Sequence, residues 1–172
     1  MERKKLSSED IENMKTILNP YPVVVENFLD NIENLTDLKE KLEEIEELSS
    51  IMVAIDVCGN PDVMNKFERI MKMMEQKELY GAICRLFADC CQNFDVVQAK
   101  LVKIKIFEKI KYNWSLNDST YLLFSLCMNN PAITKLFFSK YYRPDLFDPG
   151  NDRIGRLIEY YGSLEATTNA LN

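Results

Sequence analysis

Two stretches of this chain repeat one another, and that limits the fold more than any other feature. Leu86 to Leu101, LFADCCQNFDVVQAKL, returns in outline 37 residues later as Leu123 to Phe138, LFSLCMNNPAITKLFF. Leu86 and Phe87 fall on Leu123 and Phe124, Cys90 on Cys127, Asn93 on Asn130, and the apolar Val96 and Leu101 on Ile133 and Phe138. Each copy reads as an apolar helical segment, a short break and a second helix. A unit of that size cannot bury its apolar face alone, so copies must stack on neighbours into one continuous core. Stacks of this kind leave a long exposed edge and typically serve as binding surfaces.

The period is nearest in length to armadillo and HEAT units. Only 5 Gly and 6 Pro occur in 172 residues, so helices joined by short turns are expected throughout. The expected fold is all-α: a short armadillo-like array of about three repeats with capping helices at both ends. Capping helices take residues 1–34, repeats take 35–150 (approximately 35–75, 76–112 and 113–150), and a last capping helix takes 151–172. Ser7 with Asp10 forms a candidate capping box ahead of an apolar face of Ile11, Met14, Ile17 and Leu18. Thr36, Ser115 (with Asp118) and Asp152 are the expected N-caps of later helices. Leu35, Leu38, Leu42, Ile45, Leu48, Met52 and Ile55 mark the inner side of the first repeat, and Val63 to Met74 reads as one further helix. The four Met between 64 and 74 are read as core filler. Pro144, Pro149 and Gly150 mark a loop before the last helix, and the aromatics between Phe137 and Phe147 pack against that cap.

Charge and chemistry narrow the function. Residues 1–50 hold 13 acids and 6 bases, and the remainder holds 14 acids and 15 bases. A chain of net charge −6 does not suit nucleic acid, which demands clustered Lys and Arg. Lys100, Lys103, Lys105, Lys109 and Lys111 do cluster, but apolar residues run between them and the group reads as a solvated helix face. Histidine is absent, which excludes Ser-His-Asp and Cys-His nucleophiles and His-dependent zinc sites. Neither GxGxxG nor GxxxxGK[ST] occurs. No cofactor, metal or catalytic residue is expected, and the chain is not read as an enzyme. Five unpaired Cys and a polar, charged start, MERKKLSSED, suit a reduced intracellular protein, cytoplasmic or nuclear. No apolar run approaches the length of a membrane span.

Three segments together resemble a known family: LKEKLEEIEELSSIMVAID (38–56), AICRLFADCCQNFDVVQAKLVKIKIFEKI (82–110) and YLLFSLCMNNPAITKLFF (121–138). The chain is similar to the armadillo-type nucleotide exchange factors of the Hsp70 chaperone. Their first repeat is Leu/Glu-rich, and their second ends in a QN-type turn before a VQ-x-x-L helix, matched here by Gln92-Asn93 and Val97-Gln98-Ala99-Lys100-Leu101. The resemblance covers roughly 8–140. The chain departs at Val57-Cys58-Gly59-Asn60, where the family has a DNAN-like run, and at Lys105, where the family usually has glycine. It is also shorter than its relatives, so functions of their N-terminal extension are not expected.

The resemblance implies a curved array, monomeric, whose concave face grips the nucleotide-binding domain of Hsp70 and promotes ADP release. The last helix of each armadillo unit lines that groove. The implied binding residues are Glu43, Glu47, Ser50 and Ala54 in the first unit. The second unit supplies Gly81, Cys84, Arg85, Ala88 and Gln92, and the third supplies Tyr121, Leu122, Ser125 and Asn129. Arg85 leads, because a guanidinium flanked by small residues is reachable and binds carboxylates bidentately. Two other readings stay open. One is a generic armadillo or HEAT adaptor for another protein or peptide, although Cys84 and Tyr121 stand where a nuclear-import groove carries Trp. The other is a carboxylate-only hydrolase, which needs two acids converging in a pocket.

Overall fold

The computed structural model describes residues 7–148 and 150–171, with the side chains of residues 10, 11, 15 and 16 outside that description. The chain is all-α, and no strand occurs among the described residues. The helices are α1 (Ser8–Leu18), α2 (Tyr21–Asn34), α3 (Leu38–Met52), α4 (Ile55–Cys58), α5 (Pro61–Met64), α6 (Phe67–Lys72), α7 (Lys77–Cys91), α8 (Asp95–Lys103), α9 (Ile106–Ile110), α10 (Asn117–Cys127), α11 (Pro131–Lys140) and α12 (Asp152–Ala170). Single 3₁₀ turns cover Met73–Glu75 and Pro144–Leu146. Helices α3, α7, α10 and α12 pack side by side in one row. Helices α2, α8 and α11 pack behind α3, α7 and α10 respectively. One apolar core runs the length of this row, from Val25 and Leu29 on α2 to Leu157 on α12.

The internal repeat is real, but its structural offset is 36 residues. Asn93 and Asn129 both turn left-handed, at φ 56° and 60°. Their successors share one conformation, Phe94 at φ −127°, ψ 92° and Asn130 at φ −127°, ψ 89°. The side chains of Asn93 and Asn129 meet directly across that 36-residue spacing, Nδ2 of Asn129 donating to Oδ1 of Asn93 at 2.6 Å. In this register the buried Ile83, Cys84, Leu86, Phe87, Cys90 and Cys91 fall on the buried Ser119, Thr120, Leu122, Leu123, Leu126 and Cys127. The letter match at 37 is out by one because identical letters (LF, C, N) outweigh burial when sequence is aligned alone. Asparagine suits both turns, since its short polar side chain tolerates the left-handed region.

Several local expectations are corrected. Asp37, not Thr36, caps α3, accepting from the Glu40 amide at 3.0 Å. Asn151, not Asp152, caps α12, accepting from Ile154 N at 3.2 Å. Helix α10 begins after Leu116 without a side-chain cap, and Asp118 is bonded to Arg85 instead of to the helix start. The single helix expected over Val63 to Met74 is broken into α5, α6 and a 3₁₀ turn, which lets Phe67, Ile70, Met71, Met73 and Met74 all bury. On α1, Met14, Ile17 and Leu18 are exposed rather than packed; Ile11 and the Asp10 half of the capping box lie outside the described side chains, and Pro149 outside the described residues. Leu38 and Ile55, expected on the inner side of the first repeat, are also exposed.

Lys105 divides the Lys-bearing helix into α8 and α9 because it sits at φ 69°, ψ 40°. That conformation costs a side-chain-bearing residue about 1–2 kcal/mol, while glycine adopts it freely at some entropic cost in the unfolded chain. Lys105→Gly is therefore expected to raise stability by about 1 kcal/mol, read as a higher urea midpoint at unchanged slope. A lower midpoint would mean that the lysine side chain makes a contact worth more than the strain.

Arg69 on α6 fastens α2 through three carboxylates on one helix face: Glu26 (2.6 Å), Asp30 (2.7 Å) and Glu33 (2.7 Å). Lys66 joins Glu26 from the same side. Hydrogen bonding from Lys66 and then the charge of Lys66 and Arg69 hold the Glu26 carboxyl below its ordinary value, despite partial burial. The Arg69 hydrogen bond does the same for Glu33. Folded values below the unfolded ones mean that this contribution is complete above about pH 4.5 and is lost as pH falls through the depressed values. The melting temperature of the native chain is expected to fall more steeply below pH 4.5 than that of Arg69→Ala, in thermal melts at low ionic strength. Parallel pH profiles for the two chains would show the clamp to be energetically idle.

Candidate partner-binding face

The exposed edges of α3, α7, α10 and α12 are tied together by polar contacts in the order of the row. Between α3 and α7 lies a cavity of about 340 Å³, lined by Leu42, Glu46 and Ser49 on one side and Ala82, Arg85 and Asp89 on the other. Between α7 and α10, Arg85 Nη1 donates to Asp118 Oδ1 at 2.9 Å, and Tyr121 OH donates to Asp89 Oδ1 at 2.6 Å. The Asp89 carboxylate thereby raises the Tyr121 phenol to about 12, with burial adding to the shift. Between α10 and α12, Arg153 lies over the Tyr121 ring at 4.9 Å and bonds Asn117 Oδ1 at 2.7 Å, and Arg156 lies over Phe124 at 4.9 Å. The result is a mixed-charge seam across four helices.

Gly81 has a definite role in this seam. A Cβ built there would stand 2.4 Å from Asp118 Oδ2, so glycine is what lets the carboxylate approach α7 and meet Arg85. Behind the seam the two repeats are locked by buried polar contacts. Tyr80 OH and Ser119 Oγ lie 2.7 Å apart, Gln98 Nε2 donates to Ser125 O at 2.9 Å, and Asn130 Nδ2 donates to Gln98 Oε1 at 2.9 Å.

The structure brings some of the expected binding residues to this face and withdraws others. Arg85, Gly81 and Tyr121 lie on it. Gln92 and Asn129 are exposed at the ends of α7 and α10. Cys84, Ala88, Leu122 and Ser125 are buried and cannot meet a partner. The reason is that α7 and α10 are flanked on both sides within the row and backed by α8 and α11, so their buried arc is wider than a single apolar stripe. In the first unit Glu43, Glu47, Ser50 and Ala54 are exposed, but the cavity against α7 is lined by Leu42, Glu46 and Ser49, each one residue earlier. Asp89, Asp118, Arg153 and Arg156 were not anticipated as face residues. Asp89 was legible as the i+4 neighbour of Arg85, whereas the α12 arginines reach the face only through tertiary packing.

The chemistry of the face is set by its charge pairs. Asp118 and Asp89 are committed to Arg85 and Tyr121, and among the described residues no group of three His, Cys, Asp or Glu converges to hold a metal. All five cysteines are buried; desolvation pushes Cys84 up to about 12 and raises Cys91 and Cys127 as well, so those thiols stay protonated. No described helix is long and apolar enough to cross a membrane. No protein-family model, curated protein or solved structure matches this chain.

Proposed function

We propose that this chain is a non-enzymatic co-chaperone of armadillo type. Its α3–α7–α10–α12 face docks on the nucleotide-binding domain of an Hsp70 and promotes ADP release. It acts as a monomer in the cytoplasm or nucleus and engages neither nucleic acid nor membrane. The observation that carries this reading is Arg85, whose side chain is 55% exposed in a seam that includes α3, α7 and α10, the helices on which the family resemblance puts the partner-binding residues. A partner that binds the ADP-free chaperone more tightly must lower its ADP affinity by the same factor.

Stopped-flow release of a fluorescent ADP analogue from Hsp70 tests it, with acceleration that scales with added protein as the expected result. Arg85→Glu should reduce the acceleration by about tenfold or more, since a reversed charge at an interface centre repels what the arginine attracted. Loss of the exposed Asp118 pair costs the fold no more than about 1 kcal/mol, so the melting temperature should move little. A large fall in melting temperature, or full acceleration by the variant, would remove Arg85 from the interface. A second reading, an adaptor for a different protein or peptide, draws on the pairing of Arg85 with Asp118 and of Tyr121 with Asp89 within the molecule, a mixed-charge face that no single partner explains. Binding without faster ADP release would select it.

A further inference from the structure

Away from the seam, α6 and the turn between α8 and α9 enclose a cavity of about 360 Å³ rimmed by Lys72, Lys103, Lys105 and Lys109. Its remaining lining includes the apolar Met71 and Ile104 and the acids Glu68 and Glu75. We infer that this cavity is a docking site for a short acidic segment of a partner protein. The inference concerns a different surface from the proposed chaperone face and does not depend on it.

Five observations converge. The fold gathers residues more than thirty positions apart into one rim, so the lysines do not share a single solvated helix face. Within that rim Lys109 is neutralised by Glu75 at 2.9 Å, while no described residue forms an ion pair with Lys103 or Lys105. Four like charges around a small cavity repel one another, and only Glu68 and Glu75 oppose them there. Lys105 occupies its left-handed position at φ 69°, where glycine would be less strained. A strained non-glycine residue of this kind points to a functional position, and Lys105 lines the cavity. The buried Met71 and Ile104 give an apolar floor against which side-chain methylenes can pack.

A peptide fits better than nucleic acid. The site is the size of a few side chains, and α3 of the same molecule carries Glu40, Glu43, Glu44, Glu46 and Glu47, which would repel an extended polyanion.

The test is fluorescence anisotropy of a fluorescein-labelled Asp/Glu octapeptide titrated with the full chain, with no chaperone present. Binding is expected at about 50 mM salt, with marked weakening at about 300 mM as the Debye length shortens. A neutral Asn/Gln octapeptide should not bind. Lys105→Gly should weaken binding about threefold while stabilising the fold, so loss of affinity and loss of structure are separated in one variant. Lys103→Glu combined with Lys105→Glu should abolish binding at unchanged helical circular dichroism. Equal affinity in native and Lys105→Gly chains would overturn the proposal. So would tighter binding of a single-stranded oligonucleotide that the double variant loses, which would make the rim a nucleic-acid site. Absence of peptide binding alongside self-association lost in the double variant would also overturn it, assigning the rim to a second copy.

Discussion

Phe137→Ala should be among the most damaging single substitutions in this protein, lowering stability by about 3–5 kcal/mol and the melting temperature by about 10 °C. Phe137 on α11 is 1% exposed and touches aromatic rings from four parts of the chain. Phe107 of α9 lies at 5.8 Å, Trp114 of the α9–α10 link at 5.7 Å edge-on, Phe147 of the α11–α12 link at 6.1 Å edge-on, and its own neighbours Phe138 and Tyr142 at 5.2 Å and 6.1 Å. Helix α9, the α9–α10 link, α11 and the α11–α12 link are therefore joined through one ring. Truncation removes the transfer free energy of the side chain and leaves a cavity whose walls belong to separate elements, which limits collapse. Phe138→Ala is the informative comparison. Its ring is only half-buried, stacked on Tyr161 at 4.3 Å, and its loss should cost less and loosen mainly α12. Urea unfolding of both variants decides the matter: a Phe137→Ala penalty no larger than that of Phe138→Ala would refute the hub.

Gln98→Leu is expected to cost about 2–3 kcal/mol although leucine fills the same space. Helix α10 ends at Cys127 as Asn129 turns left-handed, so the carbonyls of its last turn lose their intrahelical donors. Gln98, from the preceding repeat, donates its Nε2 to one of them, Ser125 O, and accepts from Asn130 Nδ2 through its own Oε1. Asn130 in turn accepts from the Ile133 amide at the start of α11, so one buried glutamine holds the end of one helix and, indirectly, the start of the next. Leucine would strand a carbonyl and an amide in the interior, where each lacks water to replace its partner. The immediate surroundings already contain one buried oxygen without a partner, Ser125 Oγ. Chemical denaturation is again the measurement, and a penalty under about 0.5 kcal/mol would show that solvent reaches these groups in the native state.

Gln98 and Arg85 take roles that depend on residues distant in the chain. Gln98 stood out only as a letter in a VQ-x-x-L pattern, and its part in joining two repeats appears only when Ser125 and Asn130 are brought to it. Arg85 is legible as a small-flanked arginine on a helix, but its partner Asp118 reads in the sequence as a capping residue and only the packed helices bring the two together. Cys84, Ala88, Leu122 and Ser125 were placed on the face because a helix with one apolar stripe has an opposite side. In a row with neighbours left, right and behind, little of that side remains.

The sequence by itself determined the helical class, the presence of an internal repeat and most helix breaks, because apolar periodicity, Asn-Pro and Gly-Asn-Pro turns and scarce glycine act within a few residues of one another. The tertiary structure alone decided the 36-residue register, the left-handed turn at Lys105, the seam from Glu46 to Arg153 and the lysine-rimmed cavity. Each of these depends on which surfaces meet after the helices stack. A one-residue rotation about a helix axis, invisible in the letters, exchanges a buried side chain for an exposed one.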